Sequence, residues 1–129
     1  MIEYKYSILY DIVWMLKTIK NIGWLKKKGL KVFYPNFFRI IKLCFNRPVG
    51  PKVEAKNKIF CYWISSGTWG SYAPPNKIFI CPWEIGKAGG LKRVIEHEIV
   101  HLEHESEIQK MNLNHEEKEK FINRKQKRN

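Results

Sequence analysis

Residues 97–101 read His-Glu-Ile-Val-His, and they sit inside a run whose apolar residues recur every three or four positions. Leu91, Val94, Ile95, Ile99 and Leu102 carry that period, which predicts a long helix from Leu91 to about Lys110. Residues four apart on a helix share a face, with Cβ atoms about 5–6 Å apart. His97 and His101 therefore project side by side, with Glu98 next to them. Such a face has to be met by another element that supplies partners for its polar groups, and this restricts how the rest of the chain can pack.

The flanking elements follow from pattern and punctuation. Lys58 to Ser65 is dense in β-branched and aromatic residues and reads as a strand. Trp69 to Ala73 reads as a second strand, stopped by Pro74-Pro75, and Lys77 to Cys81 as a third, stopped by Pro82. Gly86 to Gly90 is a loop. Upstream, residues 4–20 predict a helix with a wide apolar face of Ile8, Leu9, Ile12, Val13, Met15, Leu16 and Ile19 and a narrow polar stripe of Glu3, Ser7, Asp11 and Thr18. Residues 36–45 predict a second helix, and Asn46 to Pro51 a linker. Downstream, Asn112-Leu113-Asn114 ends the long helix. Asn114 with Glu117 three residues on makes a capping box, so a last helix runs from His115 to about Lys125.

Two helices, three strands and two helices give an α+β fold, and 129 residues suffice for one domain. The formal net charge of +12 is unevenly placed. Residues 1–52 hold eleven basic residues and two acids, residues 53–113 seven of each, and residues 114–129 six and three. The domain thus divides into a basic N-terminal helical part, a neutral middle with the strands and the long helix, and a final helix with a basic tail.

The cysteines Cys44, Cys61 and Cys81 are odd in number and lack C-x-x-C spacing, which argues against a disulfide framework or a four-thiolate metal site. The most apolar stretch, Ser7 to Ile19, is interrupted by Asp11 and Lys17, well short of the roughly 20 residues a membrane span needs. It has no small-residue cleavage site either. A soluble, cytoplasmic protein is the expectation.

Two imidazoles at i and i+4 can converge on one Zn²⁺ at roughly 2.0–2.1 Å each. Glu98, beside rather than on such a metal, is placed to take a proton from a metal-activated water. A catalytic zinc needs a third protein ligand and an open position. His104, Glu103, Glu105 and Glu107 continue the same helix and fan away from the point where His97 and His101 meet. The ligand is expected from the last helix, whose start offers His115, Glu116, Glu117 and Glu119. Position alone does not choose between His115 and a glutamate.

These residues resemble the minigluzincins, soluble single-domain relatives of the gluzincin zinc metallopeptidases, over about Lys58 to Asn123. The resemblance lies in residues 72–80 (YAPPNKIFI), in HEIVH, and in residues 114–119 (NHEEKE). The strand-turn-strand part is also similar to the catalytic domains of membrane-embedded zinc peptidases. It implies a small twisted sheet above a cleft, with the HExxH helix below and a ligand-bearing helix after it. It further implies His115 as third zinc ligand, Glu119 as the acid that orients His97, and Trp69 to Ala73 as the cleft-side edge strand, with Trp69, Tyr72 and Ala73 at the substrate. Tyr72 is the candidate transition-state helper. Minigluzincins also resemble zymogens, which makes the final helix and Lys125 to Asn129 candidates for blocking the cleft, within the chain or between two copies.

The expected function is therefore zinc-dependent hydrolysis of a peptide or protein substrate, with Glu98 as general base. The alternative is a non-catalytic zinc domain that binds an anionic membrane surface or nucleic acid through its basic ends. No nucleic-acid-reading motif accompanies the lysines Lys26, Lys27, Lys28 and Lys31, so no specific nucleic-acid partner is expected.

Overall fold

Side chains of a strand alternate between its two faces. In Ile59–Trp63 this alternation buries Ile59, Cys61 and Trp63 and leaves Phe60 and Tyr62 partly covered. A computed structural model of the protein describes residues 1–128. Its elements in chain order are β1 (Ile2–Tyr6), α1 (Ile8–Lys27), α2 (Phe37–Phe45), β2 (Ile59–Trp63), β3 (Gly70–Ala73), β4 (Lys77–Ile80), α3 (Leu91–Glu103), α4 (Glu105–Met111) and α5 (His115–Arg128). A short 3-10 turn, Ile85–Ala88, precedes α3.

The fold is α+β, with a mixed sheet of four strands rather than three. The additional strand is β1, which runs parallel to β2 with Ile2 opposite Ile59 and Tyr6 opposite Trp63. Residues 4–6 were expected in the first helix. They are strand because Ile2, Tyr4 and Tyr6 alternate, and because Ser7 caps the helix at residue 8 by accepting the Tyr10 N–H. The sheet order is β1-β2-β4-β3, with β4 parallel to β2 and β3 antiparallel to β4. That order leaves β3 as an edge strand. A cis peptide joins Pro74 to Pro75 in the turn between β3 and β4.

The main core lies between the sheet and α3. Cys61, Trp63, Ile78 and Ile80 from the strands meet Val94, Ile95 and Ile99 from the helix. Phe33, Ile64, Phe79 and Cys81 form a second cluster, closed by Trp14 of α1. Val100, Ile108, Phe121 and Ile122 form a third, which ties α5 to α3 and α4. The helix expected from Leu91 to Lys110 is broken at His104, where φ is −108° and ψ 11°. The bend brings Ile108 into contact with Phe121 and Ile122. At the start of α5, Asn114 Oδ1 accepts the Glu117 N–H at 2.9 Å, and Glu117 reaches back to the Asn114 N–H at 3.4 Å, so the capping box is formed.

α1 is inverted in polarity. Its two buried residues are Asp11 and Thr18, and its aliphatic residues Ile8, Leu9, Ile12, Val13, Leu16 and Ile19 are exposed. The polar stripe is the one that faces the protein. Asp11 Oδ1 accepts both the main-chain N–H and the hydroxyl of Ser65 at 2.9 Å, and Oδ2 accepts the Tyr6 hydroxyl at 2.6 Å. A buried carboxylate is tolerable only with such partners, and its place in the first turn of α1 adds the favourable end of the helix dipole. Aromatic contacts complete the seam: Trp14 stacks on Phe79 at 4.3 Å, and Tyr10 meets Tyr62 edge-on at 4.7 Å.

Asp11→Ala removes the acceptor of two buried Ser65 donors. A destabilisation of about 2–4 kcal/mol is expected, since each orphaned buried group costs roughly 1–3 kcal/mol. Urea unfolding followed by tryptophan fluorescence checks it, and Thr18→Ala, whose hydroxyl only bonds Trp14 O within the helix, should cost far less.

Candidate metal centre

His97 and His101 sit one turn apart on α3, as their spacing requires, and their Nε2 atoms are 3.2 Å apart. The side chain that meets them is Glu119 of α5. Its Oε2 lies 3.1 Å from His97 Nε2 and its Oε1 3.2 Å from His101 Nε2. Ligand atoms of His97, His101 and Glu119 all lie within 4.8 Å of one another, a group that could hold one metal ion. Two imidazoles and a carboxylate suit zinc. Glu119 thus occupies the position expected for His115, while His115 lies one turn earlier on the same face of α5. There its ring meets Trp24 edge-on at 5.8 Å on the wall of the same cleft. The reason is the docking of α5: Phe121 and Ile122 lock against Val100 and Ile108, and this sets which turn of α5 faces the imidazoles.

The expected contact of Glu119 with His97 is present at Nε2, and the other ring nitrogen of His97 meets Gln126. Its Oε1 is 3.1 Å from His97 Nδ1, two turns beyond Glu119 on α5. No motif marks Gln126 in the sequence; its seven-residue distance from Glu119, a helical repeat, is the one available signal. Residues 125–128 continue α5, and Asn129, the end of the expected blocking tail, lies outside the described residues. His104 points elsewhere, pairing with Glu107 at 3.1 Å and meeting Phe121 edge-on.

The electrostatics separate the two carboxylates. Glu98 is buried, and this desolvation pushes its carboxyl up to about 7, with the Glu119 charge adding to the effect against His97 and Lys118. Burial also works against an ionised Glu119, but the hydrogen bonds from His101 and His97 outweigh it and hold the group well below the usual carboxylate range. Burial lowers His101. For His97 burial acts the same way, yet the hydrogen bond to Glu119 and the charge of Glu98 raise it overall.

The cleft, about 640 Å³, runs along β3. β3 crosses α3 at Gly70, where a Cβ would stand 2.7 Å from Glu98 Oε1 and 2.9 Å from Val94 Cγ1. A side chain at this position would push Glu98 or Val94 aside, so the bare glycine lets the edge strand lie close over Glu98. The Cys81 N–H donates to Trp69 O, so by antiparallel alternation the main-chain groups of Gly70 and Tyr72 face the unpaired edge. Tyr72 stacks on His101 at 4.6 Å and 15°, and its hydroxyl accepts from Lys118 Nζ at 3.1 Å. Trp69 lines the cleft and donates from Nε1 to Trp83 O. Ala73 does not line it; it pairs with Lys77 at the hairpin end, and Thr68, Gly70 and Ser71 take its expected place. The opposite wall comes from Trp24, Leu25 and residues 29–31 at the end of α1.

No protein-family model, curated protein or solved structure matches the chain.

Partners that orient a ligating imidazole commonly contribute 10–100-fold in metal affinity. Gln126→Leu is expected to weaken zinc binding by about that factor without changing the helical signal. Competition with a chromophoric chelator measures it.

Proposed function

We propose that the protein is a zinc-dependent metallopeptidase of gluzincin type, with His97, His101 and Glu119 as the metal ligands. The observation that carries this reading is the burial of Glu98 beside the two imidazoles and directly under an edge strand. A structural metal site has no use for a second acid held near neutrality there. A general base does, because proton transfer is most efficient when the pKa lies close to the working pH.

Zinc held in this site would supply Lewis acidity, polarising the scissile carbonyl and making water a better nucleophile at neutral pH. The chain's own residues do the rest. Glu98 hydrogen-bonds the attacking water, takes its proton and returns it to the leaving amine. Gln126 holds the imidazole plane of His97 from its other ring nitrogen, and Tyr72 packs flat on His101. The unpaired edge of β3 gives an extended peptide the main-chain groups of Gly70 and Tyr72 to pair with. A glutamate ligand departs from the histidine that the resemblance to minigluzincins implies.

Glu98→Gln keeps size and hydrogen bonding but cannot accept the proton. The purified variant should retain stoichiometric zinc and cleave a denatured protein substrate at least about a hundredfold more slowly, the lower end of general-base contributions. Unchanged cleavage would sink the peptidase assignment.

A further inference from the structure

The outer face of α1 has no partner among the described residues. Ile8, Ile12 and Ile19 form one row at helical spacing, and Leu9, Val13 and Leu16 the next. Together they make an aliphatic stripe on the side of the helix opposite the buried Asp11 and Thr18. Leu9 is 77% exposed and Leu16 62%. α2, which packs beside α1, adds Phe37, Phe38 and Phe45, each more than two-thirds exposed. Isolated exposed hydrophobes are ordinary, but a continuous stripe on a 20-residue helix marks a surface that something covers.

Charge indicates the cover. The only acid of α1 is Asp11, which is turned inward, and α2 has none. The exposed polar residues of the two helices and their connection include Lys17, Lys20, Lys26, Lys27, Lys28, Lys31 and Lys42. An aliphatic stripe bordered by cations, on a helix that is not apolar enough to cross a bilayer, has the composition of a helix lying in a membrane interface. A second copy docked on the same stripe would set these cations against their own counterparts, whereas an anionic lipid surface complements them.

We propose that α1 docks the protein on an anionic bilayer, with Ile8, Leu9, Ile12, Val13, Leu16 and Ile19 inserted among the acyl chains and the flanking lysines on the headgroups. Docking is independent of metal and of peptidase activity. It differs from attraction through the basic ends alone, because the apolar stripe contributes part of the affinity.

Flotation of the full chain with vesicles tests this. Vesicles of phosphatidylcholine with about 30 mol% phosphatidylglycerol should carry the protein at near-physiological salt, and pure phosphatidylcholine should bind at least about tenfold less. Leu9→Gln with Leu16→Gln leaves the net charge unchanged and alters only exposed side chains, so the fold should persist by circular dichroism. Partitioning should drop at least about tenfold, because two inserted leucines are lost. Lys26→Gln, Lys27→Gln and Lys28→Gln together should weaken binding and flatten its salt dependence. Three results would overturn the proposal: no flotation with the anionic vesicles, equal flotation of the double leucine variant, or a concentration-dependent dimer of the wild type that the leucine variant abolishes. The second would mean attraction by charge alone, and the third that the occupant of the stripe is another copy of the chain.

Discussion

One carboxylate reaching from α5 to two imidazoles on α3 organises the cleft. Glu119 lies within hydrogen-bond distance of both His97 and His101 and remains ionised between them, despite partial burial. α5, held against α3 by Phe121 and Ile122, also brings Gln126 to the far nitrogen of His97. On the other side, β3 descends onto α3 at a glycine and covers Glu98. The two acids are thereby driven apart in character: one is ionised and aimed at the imidazoles, the other dry and titrating near neutrality. Divergent carboxylates in a single site are a pattern associated with acid–base chemistry.

How much of this was legible depended on how local the information was. The spacing of His97 and His101 is a property of one helix, and β2, β3 and β4 are marked by their own prolines and β-branched runs, so these were readable. The side chain that meets the two imidazoles was not. His115 and Glu119 are one turn apart on one helix face, about 6 Å along the axis. Choosing between them requires knowing how far α5 slides along α3, and that is set by Phe121 and Ile122 meeting Val100 and Ile108. The resemblance to minigluzincins favoured His115, whereas packing brings Glu119 to the imidazoles. β1 was hidden because five residues of alternation merge into the apolar period of α1, and the boundary rests on one Ser7 cap. Gln126 left no trace because an amide gains its role only from the atom it faces.

α1 shows a different limit. Its period is plain in the sequence, but amphipathicity does not say which face is turned inward. Aliphatic stripes normally pack against the core. Here Asp11 satisfies two Ser65 donors and the Tyr6 hydroxyl, Trp14 stacks on Phe79, and the aliphatic stripe is left outside. The concentration of positive charge in residues 1–52 then takes on a physical context, since it borders an exposed apolar surface and lies apart from the neutral segment that carries the imidazoles. The end of α1 also walls the cleft through Trp24 and Leu25, so the surface and the site are structurally continuous.

Anomalous diffraction at the zinc absorption edge, from crystals of zinc-loaded protein, addresses the coordination directly. A single strong peak is predicted at roughly 2.0–2.2 Å from His97 Nε2, His101 Nε2 and a Glu119 carboxylate oxygen, with His115 remaining against Trp24. A peak ligated by His115 in place of Glu119, or no peak between the two imidazoles, would contradict the account.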